Sequence, residues 1–201
     1  MATIAELLTS SLNALKQVQR GEDFTIIKSS DLSRTHIKRL VDNHFLKPII
    51  KGWYVVTDPR ATPGDSTAWY ASFWSFITRY ANERYGNEWC LSAEQSLSIY
   101  TGATIIPNQV LIRAPKGNDY MVPLIPPTSV FNLGAELPSK IDTNNPYNLN
   151  LYTLAEAIIV ATPTMYRNDA LTMRTALAMV HDSSDILKIL VDTGQQSGQA
   201  G

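Results

Sequence analysis

The apolar and polar positions at the start of the chain predict a helix followed by a short strand. Between residues 3 and 19, apolar side chains recur at helical spacing and form one stripe, and Gly21 follows as a stop signal. The run from Phe24 to Ile27 is rich in β-prone residues. We therefore expect an amphipathic helix that packs beneath the next segment, and a strand that pairs with a later hairpin.

The segment from Lys28 to Val56 predicts a second, short helix and a two-stranded hairpin. Its Ser29-Ser30-Asp31 run carries side-chain oxygens that can cap the start of a helix. An apolar face at near-helical spacing comprises Leu32, Ile37, Leu40, Val41 and Leu46. Two apolar runs, residues 46–50 and 53–56, are separated by Lys51-Gly52, which is a hairpin signal. A basic helix leading into a basic hairpin is typical of a winged helix, whose recognition helix lies in the major groove of DNA.

Charged residues are unevenly distributed along the chain. The formal net charge is −1, but residues 1–60 hold nine Lys or Arg against six Asp or Glu. Residues 28–51 hold six against two, together with His36 and His44. Because binding to a polyanion depends on a local basic face rather than on overall charge, this segment is the candidate contact surface.

Seven residues of this segment are candidate DNA contacts. The predicted helix would direct Arg34, Thr35, His36, Lys38 and Arg39 into the groove, and the hairpin would bring Lys47 and Lys51 to phosphates. The alternative is an ordinary solvated helix face, because Lys and Arg are usually exposed without any binding role. A winged helix can also bind protein, so the fold alone does not fix the function.

The remainder of the chain predicts a mixed helix and strand domain, which makes the expected fold class α+β. Residues 57–66 contain two prolines and a glycine and divide the chain into a winged-helix domain at 1–58, an α+β domain at 59–193 and a flexible tail at 194–201. Aromatic residues recur along a long helix capped by Asp65 or Ser66, and we interpret them as core rather than as a ligand site. The remaining predictions are helix caps at Ser92 and Thr153, a helix end at Pro163, and strands at 103–106, 109–113 and 121–124.

Known catalytic and metal-binding motifs are absent from the sequence. There is no CxxC, HExxH, GxxxxGK[ST] or GxGxxG, and three histidines with one cysteine, far apart in sequence, do not make an ordinary zinc site. We therefore predict no enzymatic activity, no cofactor and no metal. A single cysteine, the lack of a signal peptide and the lack of an apolar run near ~20 residues predict a cytoplasmic protein with no membrane partner.

Two stretches resemble the AbiEi-type family of antitoxins and transcriptional regulators. The first, SSDLSRTHIKRLVDNHFLKPIIKGWYVV, resembles the N-terminal winged helix of that family and keeps Leu40, Leu46, Gly52 and Tyr54, with His44-Phe45 where a glycine is common. The second, LSAEQSLSIYTG followed by IIPNQVLIRAPKG, resembles its helix-then-strands core. Together the resemblance covers about residues 24–137. It implies DNA binding, repression of the regulator's own operon and neutralisation of a cognate toxin.

The same arrangement also resembles regions that precede Fic domains in longer proteins. The HPFxxGN motif of Fic enzymes is absent from this chain, so any adenylylation activity would lie beyond Gly201. Two hypotheses follow. The first is a DNA-binding regulator of antitoxin type, with double-stranded DNA and a toxin as partners and a homodimer on paired half-sites. The second is a protein-interaction or regulatory region of a longer Fic-domain protein.

Overall fold

The computed structural model describes residues 3–19, 25–62 and 64–193. Within these ranges the chain forms helices and strands in mixed order, and the predicted α+β fold class is confirmed. The predicted helix stop at Gly21, the residue Phe24 and the predicted tail at 194–201 lie outside the described residues. No helix in the described part of the chain has both the length and the apolar character to span a membrane.

Two compact units make up the chain. Unit 1 comprises Met1–Ile77 with Pro123–Thr128, and unit 2 comprises Thr78–Val122 with Ser129–Gly201. The division at residues 77 and 78 falls inside a long helix, whereas the domain boundary predicted from the sequence lies in the linker at 57–66. The predicted domains stay a prediction.

The N-terminal part of unit 1 is a three-stranded antiparallel sheet with the two helices that accompany it. The chain order is α1 (Ile4–Gln19), β1 (Ile26–Lys28), α2 (Arg34–Asp42), β2 (Leu46–Ile50) and β3 (Trp53–Val56). The strands lie in the order β1-β3-β2, and the two hairpin strands have the predicted bounds. The core that holds α1 and α2 to the sheet consists of Leu15, Ile27, Leu32, Ile37, Leu40 and Leu46. This arrangement supplies the helix and hairpin of a winged helix, and that assignment stays a prediction.

The predicted start of α2 is wrong by several residues. Ser29-Ser30-Asp31 do not cap it, because the Asp31 carboxylate accepts the backbone N–H of Lys28 at 2.8 Å and closes a turn instead. Ser33 is the N-cap and accepts from the backbone N–H of His36. Leu32 therefore precedes the helix. Residues 29–32 form a turn between β1 and α2.

The long helix α3 (Thr67–Tyr85) begins as predicted after Asp65, whose carboxylate accepts from the backbone N–H of Thr67 at 2.8 Å. Its aromatic stripe is core, as predicted. In unit 1, Trp69, Phe73 and Phe76 are almost completely buried, and the Trp69 and Phe73 rings meet edge to face with centroids 5.3 Å apart. The Trp69 indole N–H donates to the Thr128 hydroxyl at 3.1 Å, so the polar edge of the ring is also satisfied.

Unit 2 combines a four-stranded sheet, a two-stranded sheet and the remaining helices. Its elements are β4 (Cys90–Leu91), α4 (Ala93–Tyr100), β5 (Gln109–Ala114), β6 (Tyr120–Pro123), β7 (Ser129–Gly134), β8 (Ile141–Asp142), β9 (Leu151–Tyr152), α5 (Leu154–Val160), α6 (Pro163–Asn168), α7 (Ala170–Ala178) and α8 (Ser183–Thr193). The larger sheet has the order β4-β5-β7-β6 with β5 and β7 parallel, and β8 pairs with β9. Ser92 and Thr153 cap α4 and α5 as predicted.

Two further predictions about unit 2 are wrong. Residues 103–106 do not form a strand, because they pair with no neighbouring strand. Pro163 does not end a helix. It starts α6, where its missing N–H costs nothing because the first N–H groups of a helix have no partner within that helix. The helix α5 has already ended at Val160.

Candidate nucleic-acid interface

The apolar side of α2 fixes which of its side chains face solvent. Ile37 and Leu40 are buried against α1 and the sheet. Arg34 and Lys38 are one turn apart on the other side, with Thr35 beside them, and all three are exposed. The helix therefore presents two cations and a small hydroxyl on one solvent-facing surface, which we call the α2 outer face.

Two other candidate residues on α2 face α1 instead. The Arg39 guanidinium donates through Nη1 to the Ser11 hydroxyl at 2.7 Å and to the Leu7 carbonyl at 3.0 Å. His36 Nδ1 lies 3.0 Å from the same Ser11 Oγ. The structure therefore separates His36 and Arg39 from the α2 outer face, and gives both an internal partner within unit 1.

The C-terminal end of α2 uses a backbone conformation that glycine usually provides. His44 has a φ of +61°, its N–H donates to the Val41 carbonyl at 3.0 Å, and the Phe45 N–H donates to the Leu40 carbonyl at 2.9 Å. This pair of bonds is the Schellman motif. The AbiEi-type family commonly has a glycine at this turn. Here His44 adopts the left-handed conformation that a glycine would adopt.

The two hairpin cations differ in their surroundings. Lys51 is exposed in the tight turn, next to Gly52, whose φ of +82° is one that glycine adopts readily. Lys47 is half-buried and lines a surface pocket of about 620 Å³ together with Asp58 and Asp65. The hydrogen bonds from Thr67, and to a smaller extent the charge of Lys47, lower the pKa of the Asp65 carboxyl. The Asp65 carboxylate near Lys47 therefore competes with a phosphate for this lysine.

Lys28 belongs to the basic segment at residues 28–51 but is not one of the seven candidate DNA contacts. Its Nζ lies 5.3 Å from the centroid of the Trp53 ring, which indicates a cation–π contact across the β1–β3 pair.

Ser11 is the residue that sequence reasoning missed altogether. The available signal was its position at helical spacing from Leu8, Leu12 and Leu15, within the apolar stripe of α1.

Unit 2 buries its most reactive side chain. Cys90 is completely buried, and burial raises the pKa of its thiol to about 12, so the thiolate is scarce near neutral pH. In the described part of the chain, no three His, Cys, Asp or Glu side chains come together in a way that could hold a metal ion. The basic α2 outer face is therefore the strongest candidate site.

No protein-family model matches the chain, and the search of curated proteins also found no match. The resemblance to AbiEi-type regulators and to regions before Fic domains stays a prediction carried by the motifs quoted above.

Proposed function

We propose that the protein is a DNA-binding transcriptional regulator of antitoxin type, in which α2 enters the major groove. One observation carries the proposal: Arg34, Thr35 and Lys38 are exposed together on a helix whose opposite side is buried. Cations bind phosphates without regard to sequence, and a threonine hydroxyl can hydrogen-bond either a base edge or a phosphate. Lys51, exposed at the hairpin turn, would add a backbone contact.

Salt dependence of binding is the direct test. Fluorescence anisotropy should be measured on the duplex upstream of the protein's own gene, between about 50 and 200 mM salt. Each phosphate contact adds about 0.9 to the log–log slope, so Arg34→Ala with Lys38→Ala should lower it by about 1.8 and weaken binding at every salt concentration. The matched control is Lys140→Ala with Lys188→Ala, which removes two exposed cations of unit 2.

Two results would contradict the proposal. Affinity that does not change with salt would mean that no phosphates are contacted. Wild-type affinity in the Arg34/Lys38 variant would mean that the α2 outer face is not the contact.

Repression of the protein's own operon and neutralisation of a toxin rest on the family resemblance. They are tested by a promoter reporter, and by co-expression with the product of the adjacent gene.

A second candidate is a protein-interaction or regulatory region of a longer Fic-domain protein. It is favoured by the large apolar side chains that unit 2 exposes on α7 and α8, namely Leu171 at 78%, Leu187 at 60% and Val191 at 79%. Such side chains are common at protein interfaces when they form a contiguous patch. Retention of a neighbouring gene product by the wild-type chain, with no salt-dependent DNA binding, would favour this candidate over the first.

A further inference from the structure

Ser11 joins α1 and α2 through a buried polar contact. Its side chain is completely buried in α1, and its hydroxyl donates to the Leu7 carbonyl at 3.1 Å. The same oxygen accepts from Arg39 at 2.7 Å and lies 3.0 Å from His36 Nδ1. When its single proton is donated to Leu7, Ser11 Oγ has two lone pairs, which can accept from Arg39 and from the Nδ1–H tautomer of His36. We call these three residues the Ser11 clamp.

The spacing of the clamp residues on α2 gives the contact a geometric effect. His36 and Arg39 are three positions apart, so they lie on neighbouring turns of one side of the helix. Apolar packing of Ile37 and Leu40 is non-directional and tolerates some rotation of α2 about its axis. Two directional hydrogen bonds to one fixed oxygen restrict that rotation. With this edge held against α1, the outer face with Arg34 and Lys38 points to solvent.

We propose that the Ser11 clamp sets the rotation of α2 about its axis, so that Arg39 and His36 are positioning residues and the α2 outer face makes the DNA contacts. This inference rests on the proposed function, and it gives His36 and Arg39 a role other than the groove contact expected from the sequence. Displacing a base-reading side chain by a small rotation disrupts specific contacts. It leaves sequence-independent attraction to phosphates nearly intact, since every cation is still present.

The main experiment is Ser11→Ala, which removes the hydroxyl that Arg39 and His36 share without removing a charge. Anisotropy should be measured on the upstream duplex and on a scrambled duplex of equal length. The clamp predicts that affinity for the upstream duplex falls about tenfold, the scale of one misplaced base contact. Affinity for the scrambled duplex and the salt slope should stay near wild type. Ser10→Ala is the matched control, because Ser10 is exposed on the same helix.

Variants of Arg39 separate a positioning role from a phosphate contact. A phosphate contact needs only the positive charge, so Arg39→Lys would retain binding. The clamp uses Nη1 of Arg39, which lies one bond farther along the side chain than the Nζ of a lysine, so it predicts the same loss as Ser11→Ala. The double variant Ser11→Ala with Arg39→Lys should bind no more weakly than Arg39→Lys alone, because both changes break one contact. Thermal melts of each variant confirm that the folded protein is being compared.

Different failures have different meanings. If wild-type protein shows no salt-dependent DNA binding, the proposed function and this inference both fall. If wild-type protein binds and folded Ser11→Ala keeps the full preference for the upstream duplex, only the clamp is overturned. A salt slope lowered by about 0.9 in Arg39→Ala but not in Ser11→Ala would reassign Arg39 as a phosphate contact and also overturn the clamp.

Discussion

Replacement of His44 by glycine should stabilise the protein. His44 holds a φ of +61° in the turn after α2 and is exposed, so its imidazole contributes little packing. A left-handed conformation costs an L-residue about 1–2 kcal/mol, with histidine among the more tolerant types. Glycine avoids that cost, but it lowers the free energy of unfolding by about 0.5–1 kcal/mol because the unfolded chain has more conformational freedom at a glycine. The net gain for His44→Gly therefore lies between about 0 and 1.5 kcal/mol, with a middle value of about 0.5–1 kcal/mol.

The motif around His44 supports this estimate, because its hydrogen bonds use backbone atoms that glycine keeps. The N–H of residue 44 bonds to the Val41 carbonyl at 3.0 Å, and the carbonyl of residue 44 accepts from the Thr57 hydroxyl at 2.7 Å. Urea unfolding followed by tryptophan fluorescence should show a higher midpoint with an unchanged slope. In a thermal scan, the expected shift is roughly 1–4 °C.

Two controls isolate the backbone effect. His44→Ala removes the same imidazole but keeps a Cβ in the left-handed region, so it should be no more stable than wild type. Asn43→Gly places glycine at a φ of −106° and removes the side-chain N–H bond to the Arg39 carbonyl, so it should be destabilising. If His44→Gly were no more stable than His44→Ala, the reasoning from backbone strain would be refuted.

The remaining predictions concern unit 2. Asn132 is completely buried, and its Oδ1 accepts from the Tyr85 hydroxyl at 2.8 Å and the Tyr80 hydroxyl at 3.4 Å, so Asn132→Leu should lower the free energy of unfolding by about 2–3 kcal/mol. Tyr85→Phe should cost only about 1 kcal/mol in the same urea titration, and equal losses would contradict a hub role for Asn132. Burial raises the pKa of the Cys90 thiol to about 12, so Ellman's reagent at mildly alkaline pH should label it only after unfolding. Rapid labelling of the folded protein would contradict that burial.

Elements with a purely local signal could be predicted from the sequence. The hairpin strands begin and end where the β-branched runs do, and Lys51-Gly52 forms their turn. The start of α2 could not be predicted, because Asp31 has two competing uses, as a helix cap or as an acceptor for the Lys28 N–H. The strand predicted at 103–106 failed for a different reason: β-propensity has an effect only where a partner strand is available.

The candidate site was only partly predictable for a similar reason. Helical spacing placed Arg34 and Lys38 one turn apart, and the structure keeps them together in solvent. Spacing alone could not show which edge of α2 meets α1, because that depends on a contact between residues 28 positions apart, Ser11 and Arg39. A serine within an apolar helix stripe was the available sign that a polar partner would be needed there.

A chain with a net charge of −1 can attract a polyanion only if nearby carboxylates are occupied or lie beyond the screening distance. In unit 1, the charge of the Asp58 carboxylate is balanced by Arg60 at 3.0 Å. At physiological salt the Debye length is about 8 Å, so only carboxylates close to a basic face greatly weaken its field. Asp42, which is exposed on α2, is such a group.

The position of Asp42 makes the α2 outer face more positive at its N-terminal end than at its C-terminal end. Asp42 lies one turn after Lys38, so the C-terminal end of this face is partly neutralised, whereas Arg34 lies at the N-terminal end, two turns away from Asp42. The backbone N–H groups of the first turn and the positive end of the helix dipole lie at that same N-terminal end. Under the proposed function, a phosphate should therefore approach the first turn of α2, next to Arg34 and Thr35. This is the end by which recognition helices of helix-turn-helix proteins contact DNA.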